Sequence, residues 1–182
     1  GVSASPQKIT AIQAVNMMKG HTTVAVLAKA FKCDLQVYDI GIKTDLNFPL
    51  VKVHKIRHET EDMLHQSAMS IAEARESLQY GFNMGMKAFE EGNQVIATGE
   101  LGMGNTTAAS AIIAALLNKS AAEVVGRGSN ISDKRLKHKV DVVNSSLERA
   151  GLKEKESPDP ITVLSEVGAL ELGAMAGAML SA

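Results

Sequence analysis

Residues 94–117 have the sequence QVIATGELGMGNTTAASAIIAALL. A short apolar run from Gln94 to Thr98 leads into a loop with three glycines, and an alanine-, isoleucine- and leucine-rich run then continues to about Leu117. The first run predicts a buried strand and the last predicts a helix, because their compositions match those elements. We therefore predict one strand, loop and helix unit.

The glycine loop, residues 99–107, favours a phosphate site. Glycines allow a ligand to approach the backbone closely, and the start of the following helix offers free N–H groups and a positive dipole end. The loop has neither the Gly-Lys-Ser/Thr of a P-loop nor a Gly-x-Gly-x-x-Gly pattern, which weakens kinase and dinucleotide hypotheses. A turn with Thr106 as a simple N-cap is the alternative, and the residues alone leave both open.

Glu100 stands where the predicted strand ends, and ligands bind at that edge of open parallel sheets. Its carboxylate could orient a ribose hydroxyl or accept a proton, whereas the alternative is an ordinary solvated glutamate. A carboxylate beside a phosphate is unfavourable unless it has its own role. We therefore favour a functional Glu100.

A second glycine loop, Gly126-Arg127-Gly128-Ser129-Asn130, could close over the other side of a phosphoribosyl group. Arg127 and Lys139 are the available cations. Lys139 lies in Lys-His-Lys-Val-Asp, and such charged runs more often form a solvated helical face than a ligand clamp.

The rest of the chain predicts helices alternating with short strands. Helices are expected over 5–20 with Ser5 as N-cap, 22–31, 70–91, 120–126, 133–150, 161–167 and 170–180, and strands over 35–40 and 50–56. The helix at 70–91 is predicted to face inward with Ile71, Ala74, Leu78, Phe82, Met86 and Phe89, and the apolar segment 170–180 to pack under another element. This alternation predicts an α/β fold with parallel strands.

Bulk composition excludes several function classes. The 182 residues are 45% hydrophobic, which suits one soluble globular domain, and the net charge of −1 comes with scattered basic residues, which argues against nucleic-acid binding. One cysteine excludes an internal disulfide, and no apolar run reaches the roughly 18 residues of a membrane span, so a cytoplasmic setting is expected. The five histidines show no zinc pattern, and we predict no metal site.

Several segments together resemble the CobT family. They are Gly1-Val2-Ser3-Ala4-Ser5-Pro6, Thr10-Ala11-Ile12-Gln13-Ala14, Gly99-Glu100-Leu101-Gly102-Met103-Gly104-Asn105-Thr106-Thr107, Val124-Val125-Gly126-Arg127-Gly128, Lys139-Val140-Asp141-Val142-Val143 and Gly173-Ala174-Met175-Ala176-Gly177. The resemblance covers essentially the whole chain, and the glycine loop is its most distinctive part.

The resemblance implies a three-layer, Rossmann-like parallel sheet flanked by helices, incomplete relative to the family. It also implies transfer of the phosphoribosyl group of nicotinate mononucleotide to 5,6-dimethylbenzimidazole, giving α-ribazole 5′-phosphate and nicotinate with inversion at the anomeric carbon. No cofactor is expected. Partners would be the two substrates and a second copy of the chain in a homodimer, with no nucleic acid and no membrane.

The family's functional residues transfer to matching positions of this sequence. By similarity, Ser5, Gln13 and Leu101 would line the dimethylbenzimidazole pocket, and the phosphoribosyl part would be held by Gly102, Met103, Gly104, Asn105, Thr106, Gly128 and Lys139. Glu100 would lie near the reacting centre in an auxiliary catalytic role. The family's general base is a glutamate in an Arg-Leu-Gly-Glu-Gly-like stretch, which these 182 residues do not contain.

The expected activity depends on which part of the family's chain these residues correspond to. Residues 1–182 would form the central part of the large phosphoribosyltransferase domain, with the family's small helical domain mostly missing. Little or no turnover is expected from this stretch alone, because Glu100 would have to act as the base. A non-catalytic nucleotide-binding module is the alternative, whereas a phosphotransferase is disfavoured because the glycine loop lacks a lysine.

Overall fold

The computed structural model describes residues 2–128 and 131–182, which form two compact units. The smaller unit contains residues 5–59 and 101–103. The larger unit contains residues 2–4, 60–100 and the described residues from 104 to 182.

The smaller unit contains two helices and a two-stranded parallel sheet. Its elements are α1 (Ile9–Met18), α2 (Thr23–Phe31), β1 (Val37–Asp39) and β2 (Val51–Val53). The strands pair in parallel with Val37 opposite Val51. The two strands predicted from β-branched residues are therefore confirmed, as is the start of α2, where the Thr22 side chain accepts a hydrogen bond from the Ala25 N–H.

The predicted start of the first helix is wrong. Helix α1 begins at Ile9 rather than at Pro6, and Ser5 is not its N-cap. The Ile9 N–H donates to the Pro6 carbonyl at 3.1 Å, so a turn precedes the helix. A proline suits the first helical position, but it suits a turn equally well, and the sequence pattern does not separate the two.

Six helices of the larger unit lie in its described residues. They are α3 (Ile71–Glu90), α4 (Asn105–Leu116), α5 (Ala121–Val124), α6 (Asp133–Arg149), α7 (Pro160–Val167) and α8 (Leu170–Leu180), close to the predicted positions. Helices α4, α6 and α7 share a core that includes Ala111, Val143 and Val163, each completely buried. The alanine-rich run predicted to leave the glycine loop therefore supplies one wall of this core.

Helix α3 packs through small residues, which corrects its predicted inward face. Ala74, Ser77, Gly81 and Gly85 are buried, whereas Ile71, Phe82 and Met86 are 36–41% exposed. A Cβ built on Gly81 would lie only 1.9 Å from the Ala174 carbonyl oxygen. Close backbone approach to α8 therefore selects the glycine face, and the prediction that residues 170–180 pack under another element is confirmed.

The strand predicted at Gln94 to Thr98 does not form. These residues have no regular secondary structure, and Val95 is 84% exposed. A strand needs a neighbouring strand to satisfy its backbone groups, and the described sheet contains only β1 and β2. The fold is a helix-rich α/β structure with a small parallel sheet, so the predicted class is confirmed while the number of strands is smaller.

Among the described residues, no helix is both long enough and apolar enough to cross a membrane.

Candidate functional site

Helix α4 begins without a side-chain cap. Its N-cap is Gly104, in the left-handed region with φ +99°, and no side-chain hydrogen bond caps the helix start among the described residues. The hypothesis that Thr106 is a simple N-cap is therefore wrong. The first N–H groups of an α-helix have no intrahelical acceptor and carry the positive end of the dipole, so an uncapped start suits an anion.

Lys139 of α6 lies beside this helix start. It is only 2% exposed, and its Nζ donates to the Thr106 Oγ1 at 2.8 Å and to the Gly126 carbonyl at 3.0 Å. Both acceptors are neutral. Burial lowers the pKa of the Lys139 ammonium below its ordinary value of 10.5. The solvated helical face favoured by the local sequence is therefore wrong for this residue.

Gly128 closes on the same two side chains. Its φ is +58°, and a Cβ built there would lie 3.0 Å from the Thr106 Oγ1 and 3.6 Å from the Lys139 Nζ. The structure thus brings together Thr106, Gly128 and Lys139 from three separate parts of the sequence. Ser129 and Asn130, the remainder of that predicted loop, lie outside the described residues.

Arg127, the other predicted cation, is engaged inside its own loop. Its guanidinium pairs with Asp133 and donates to the Ile131 carbonyl at 2.9 Å. Its charge already has a carboxylate partner, in contrast to the neutral partners of Lys139.

Glu100 and Asn105 belong to a second polar group at the start of α4. The Asn105 Nδ2 donates to the Glu100 carboxylate and, at 3.1 Å, to the Glu171 Oε1. Asn105 is 8% exposed, whereas Glu100 lies on the exposed loop. One buried amide therefore joins a carboxylate of the glycine loop to a carboxylate of α8.

Glu171 was not predicted from the sequence. Burial raises the pKa of its carboxyl above the ordinary value of 4.5, and the charge of Glu100 raises it further. The available signal was a single acidic residue in the small-residue segment of α8, where the other residues from Leu170 to Leu180 are all uncharged. A charged residue there needs a partner or a functional role.

The remaining predicted residues belong to the smaller unit. They are Ser5, Gln13, Leu101, Gly102 and Met103. The Met103 N–H donates to the Thr10 Oγ1 at 3.3 Å, so α1 fixes this part of the glycine loop. Thr10 is buried, and no local sequence pattern predicts this contact.

In the part of the chain that the structure describes, no three histidine, cysteine, aspartate or glutamate side chains are grouped so that they could hold a metal ion.

An uncapped helix start with a buried lysine beside it is an arrangement that favours an anion. The family comparison gives the class directly. The phosphoribosyltransferase family model DBI_PRT matches residues 1–182, and the chain belongs to this family.

Individual relatives have names that are more specific than the family description. Nicotinate-nucleotide–dimethylbenzimidazole phosphoribosyltransferases from Chloroflexus aurantiacus and Clostridium perfringens are 38% and 36% identical over the whole chain, which covers 51% and 50% of their lengths. The crystal structure of CobT from Thermus thermophilus superposes with a TM-score of 0.92 at 35% identity, covering 100% of this chain and 54% of that one. The chain thus spans about half the length of the relatives it matches.

Proposed function

We propose that the chain takes part in the transfer of the phosphoribosyl group of nicotinate mononucleotide to 5,6-dimethylbenzimidazole, as the central portion of an enzyme similar to the relatives above. The observation that carries the proposal is the buried Lys139 ammonium with neutral partners at the uncapped start of α4. A buried cation without a counter-charge is costly, and a phosphate would compensate it.

In this proposal the 5′-phosphate occupies the start of α4. It accepts hydrogen bonds from the first N–H groups of the helix and from Lys139, with Gly128 leaving room because a side chain there would press on Thr106. By similarity to the family, Asn105, Gly102 and Met103 are each assigned to the phosphoribosyl group. Ser5, Gln13 and Leu101 line the base pocket.

The chemistry requires positioning more than covalent catalysis. The bond between C1′ and the nicotinate nitrogen breaks, nicotinate leaves with the electron pair, and the benzimidazole nitrogen attacks C1′ from the opposite face. Fixed hydrogen bonds to the phosphate place C1′ between the two bases and stabilise an oxocarbenium-like state. The proton lost from the benzimidazole needs a base, and Glu100 is the candidate within this chain.

The proposal extends to setting and assembly. We expect a cytoplasmic protein that forms a homodimer. Glu100 takes an auxiliary catalytic role near the reacting centre in this proposal.

The test separates a transferase from a binding module. The chain is incubated with nicotinate mononucleotide and dimethylbenzimidazole, and released nicotinate is measured by chromatography beside a calorimetric titration of the mononucleotide. Nicotinate release supports the transferase, and binding without release favours the non-catalytic alternative. A chain that ignores the mononucleotide contradicts both proposals.

A further inference from the structure

The amide of Asn105 has both its hydrogens committed. Its Nδ2 carries two N–H groups, and it donates to the Glu100 carboxylate on one side and to Glu171 on the other. Asn105 is only 8% exposed, so the amide end of both bonds is shielded from water. Turning the amide over would direct its oxygen towards two carboxyl groups, so the pair of acceptors fixes its orientation.

The two carboxyl groups differ in how firmly the backbone holds them. Glu100 lies on an exposed loop without regular secondary structure. Glu171 follows a buried elbow, the connection of residues 167–170 between α7 and α8. Val167 and Leu170 in this elbow are 0% and 2% exposed. A Cβ on Gly168 would lie 2.3 Å from the Leu164 carbonyl oxygen, so the backbone is packed too closely there for a side chain. The rigid end of this group is therefore Glu171.

An unsupported glutamate on such a loop would populate several rotamers. Ordering a glutamate side chain costs conformational entropy, so a fixed orientation requires a partner that is itself fixed. Asn105 has that property only because Glu171 holds its other hydrogen. The link from the elbow to the glycine loop thus runs through two hydrogen bonds.

We propose that Glu171 is a positioning residue, which orients the Glu100 carboxylate for phosphoribosyl transfer by holding the Asn105 amide between them. The inference rests on the proposed function for the reaction that Glu100 serves. Burial raises the pKa of the Glu171 carboxyl, which agrees with this arrangement because a protonated Glu171 relieves the repulsion between two neighbouring carboxylates.

Two substitutions at Glu171 separate positioning from charge. Glu171→Ala removes the acceptor, and Glu171→Gln replaces it with an amide oxygen that still accepts from the Asn105 Nδ2. In protein that releases nicotinate, Glu171→Ala should lower kcat about 10- to 100-fold with KM for the mononucleotide nearly unchanged. Glu171→Gln should restore most of kcat.

A structural control lies next to the elbow. The Ser165 Oγ donates to the Met69 carbonyl at 2.6 Å inside the core. Ser165→Ala should therefore lower the melting temperature while kcat of the folded protein stays unchanged. If Glu171→Ala behaves in the same way, with a lower melting temperature and an unchanged kcat, the positioning role is overturned.

A spectroscopic readout makes the test independent of turnover. In 15N-labelled protein, the two Asn105 side-chain protons should be distinct and slow to exchange in the wild type and in Glu171→Gln. In Glu171→Ala they should exchange faster, and resonances that do not respond would overturn the inference. If they respond as expected while the wild type ignores the mononucleotide, the proposed function fails and the positioning contact stands.

Discussion

Two lysines show how differently the chain treats a buried ammonium. Lys55, in the smaller unit, pairs with Asp39 at 3.1 Å and with Asp45 at 3.4 Å. Lys139, in the larger unit, donates to a hydroxyl and a carbonyl. The first charge is compensated within the protein, and the second depends on neutral dipoles.

The difference agrees with a structural role for Lys55 and with the proposed binding role of Lys139. Asp39 is completely buried, and its Oδ1 also accepts from the Gly41 and Ile42 N–H groups, so Lys55 completes a network that fixes the loop after β1. Lys139 completes no such network of charges. The acceptors of the Lys139 ammonium among the described residues are neutral, so an incoming anion would gain a charge-assisted hydrogen bond. The ammonium also lies at the helix start, where an anion is favoured.

The largest expected effect comes from Lys55→Met. It leaves the Asp39 carboxylate buried without a counter-charge, which should lower the free energy of unfolding by about 3–5 kcal/mol. Urea denaturation measures the change, and the exposed Lys52→Met on β2 is the control. An unchanged unfolding midpoint would show that the ion pair does not hold this loop.

Lys139→Met should affect mononucleotide binding more than stability. Losing a hydrogen bond from a charged group to the 5′-phosphate should weaken binding of nicotinate mononucleotide about 10- to 100-fold, whereas stability should not fall by a comparable amount. Titration calorimetry checks the affinity. Lys137→Met, an exposed lysine on the same helix, should bind as the wild type does. Equal affinity in Lys139→Met and the wild type would remove Lys139 from the site.

A smaller effect is expected from Gly128→Ala, which adds a methyl group beside the Lys139 ammonium. Gly128→Ala and Gly151→Ala both place a side chain at positive φ, +58° and +62°, and each should cost about 1–2 kcal/mol of stability. Only a Cβ at Gly128 would meet Thr106 and Lys139, since a Cβ built on Gly151 has nothing described within 4 Å. Only Gly128→Ala should therefore weaken mononucleotide binding, and equal affinities would contradict the packing argument.

The smallest expected effect is a pH dependence. The pKa of Lys139 is lowered by burial, so between its folded value and 10.5 the unfolded chain binds more protons and stability rises with pH. The penalty that Lys139→Met removes should therefore shrink as pH rises towards 10.5. Denaturation of wild type and variant across that range measures it. A difference that stays constant with pH would show that Lys139 is not desolvated.

Local sequence patterns were sufficient to predict most helix positions and the glycine loop before α4. The capping box of Ser70 and Glu73 and the glycine at position 104 act within one turn of chain, so their consequences are local and can be predicted. The parallel strands at β1 and β2 followed from β-branched runs in the same way. Family membership added the expected residues of the site.

Burial, in contrast, followed from contacts between distant segments. Lys139 contacts Thr106 across 33 residues, and Glu171 contacts Asn105 across 66, separations at which no local pattern applies. The glycine face of α3 and the missing strand at 94–98 have the same cause, because each depends on a neighbour supplied or withheld by a distant segment. Local propensities describe what a segment can form, whereas its burial depends on what packs against it.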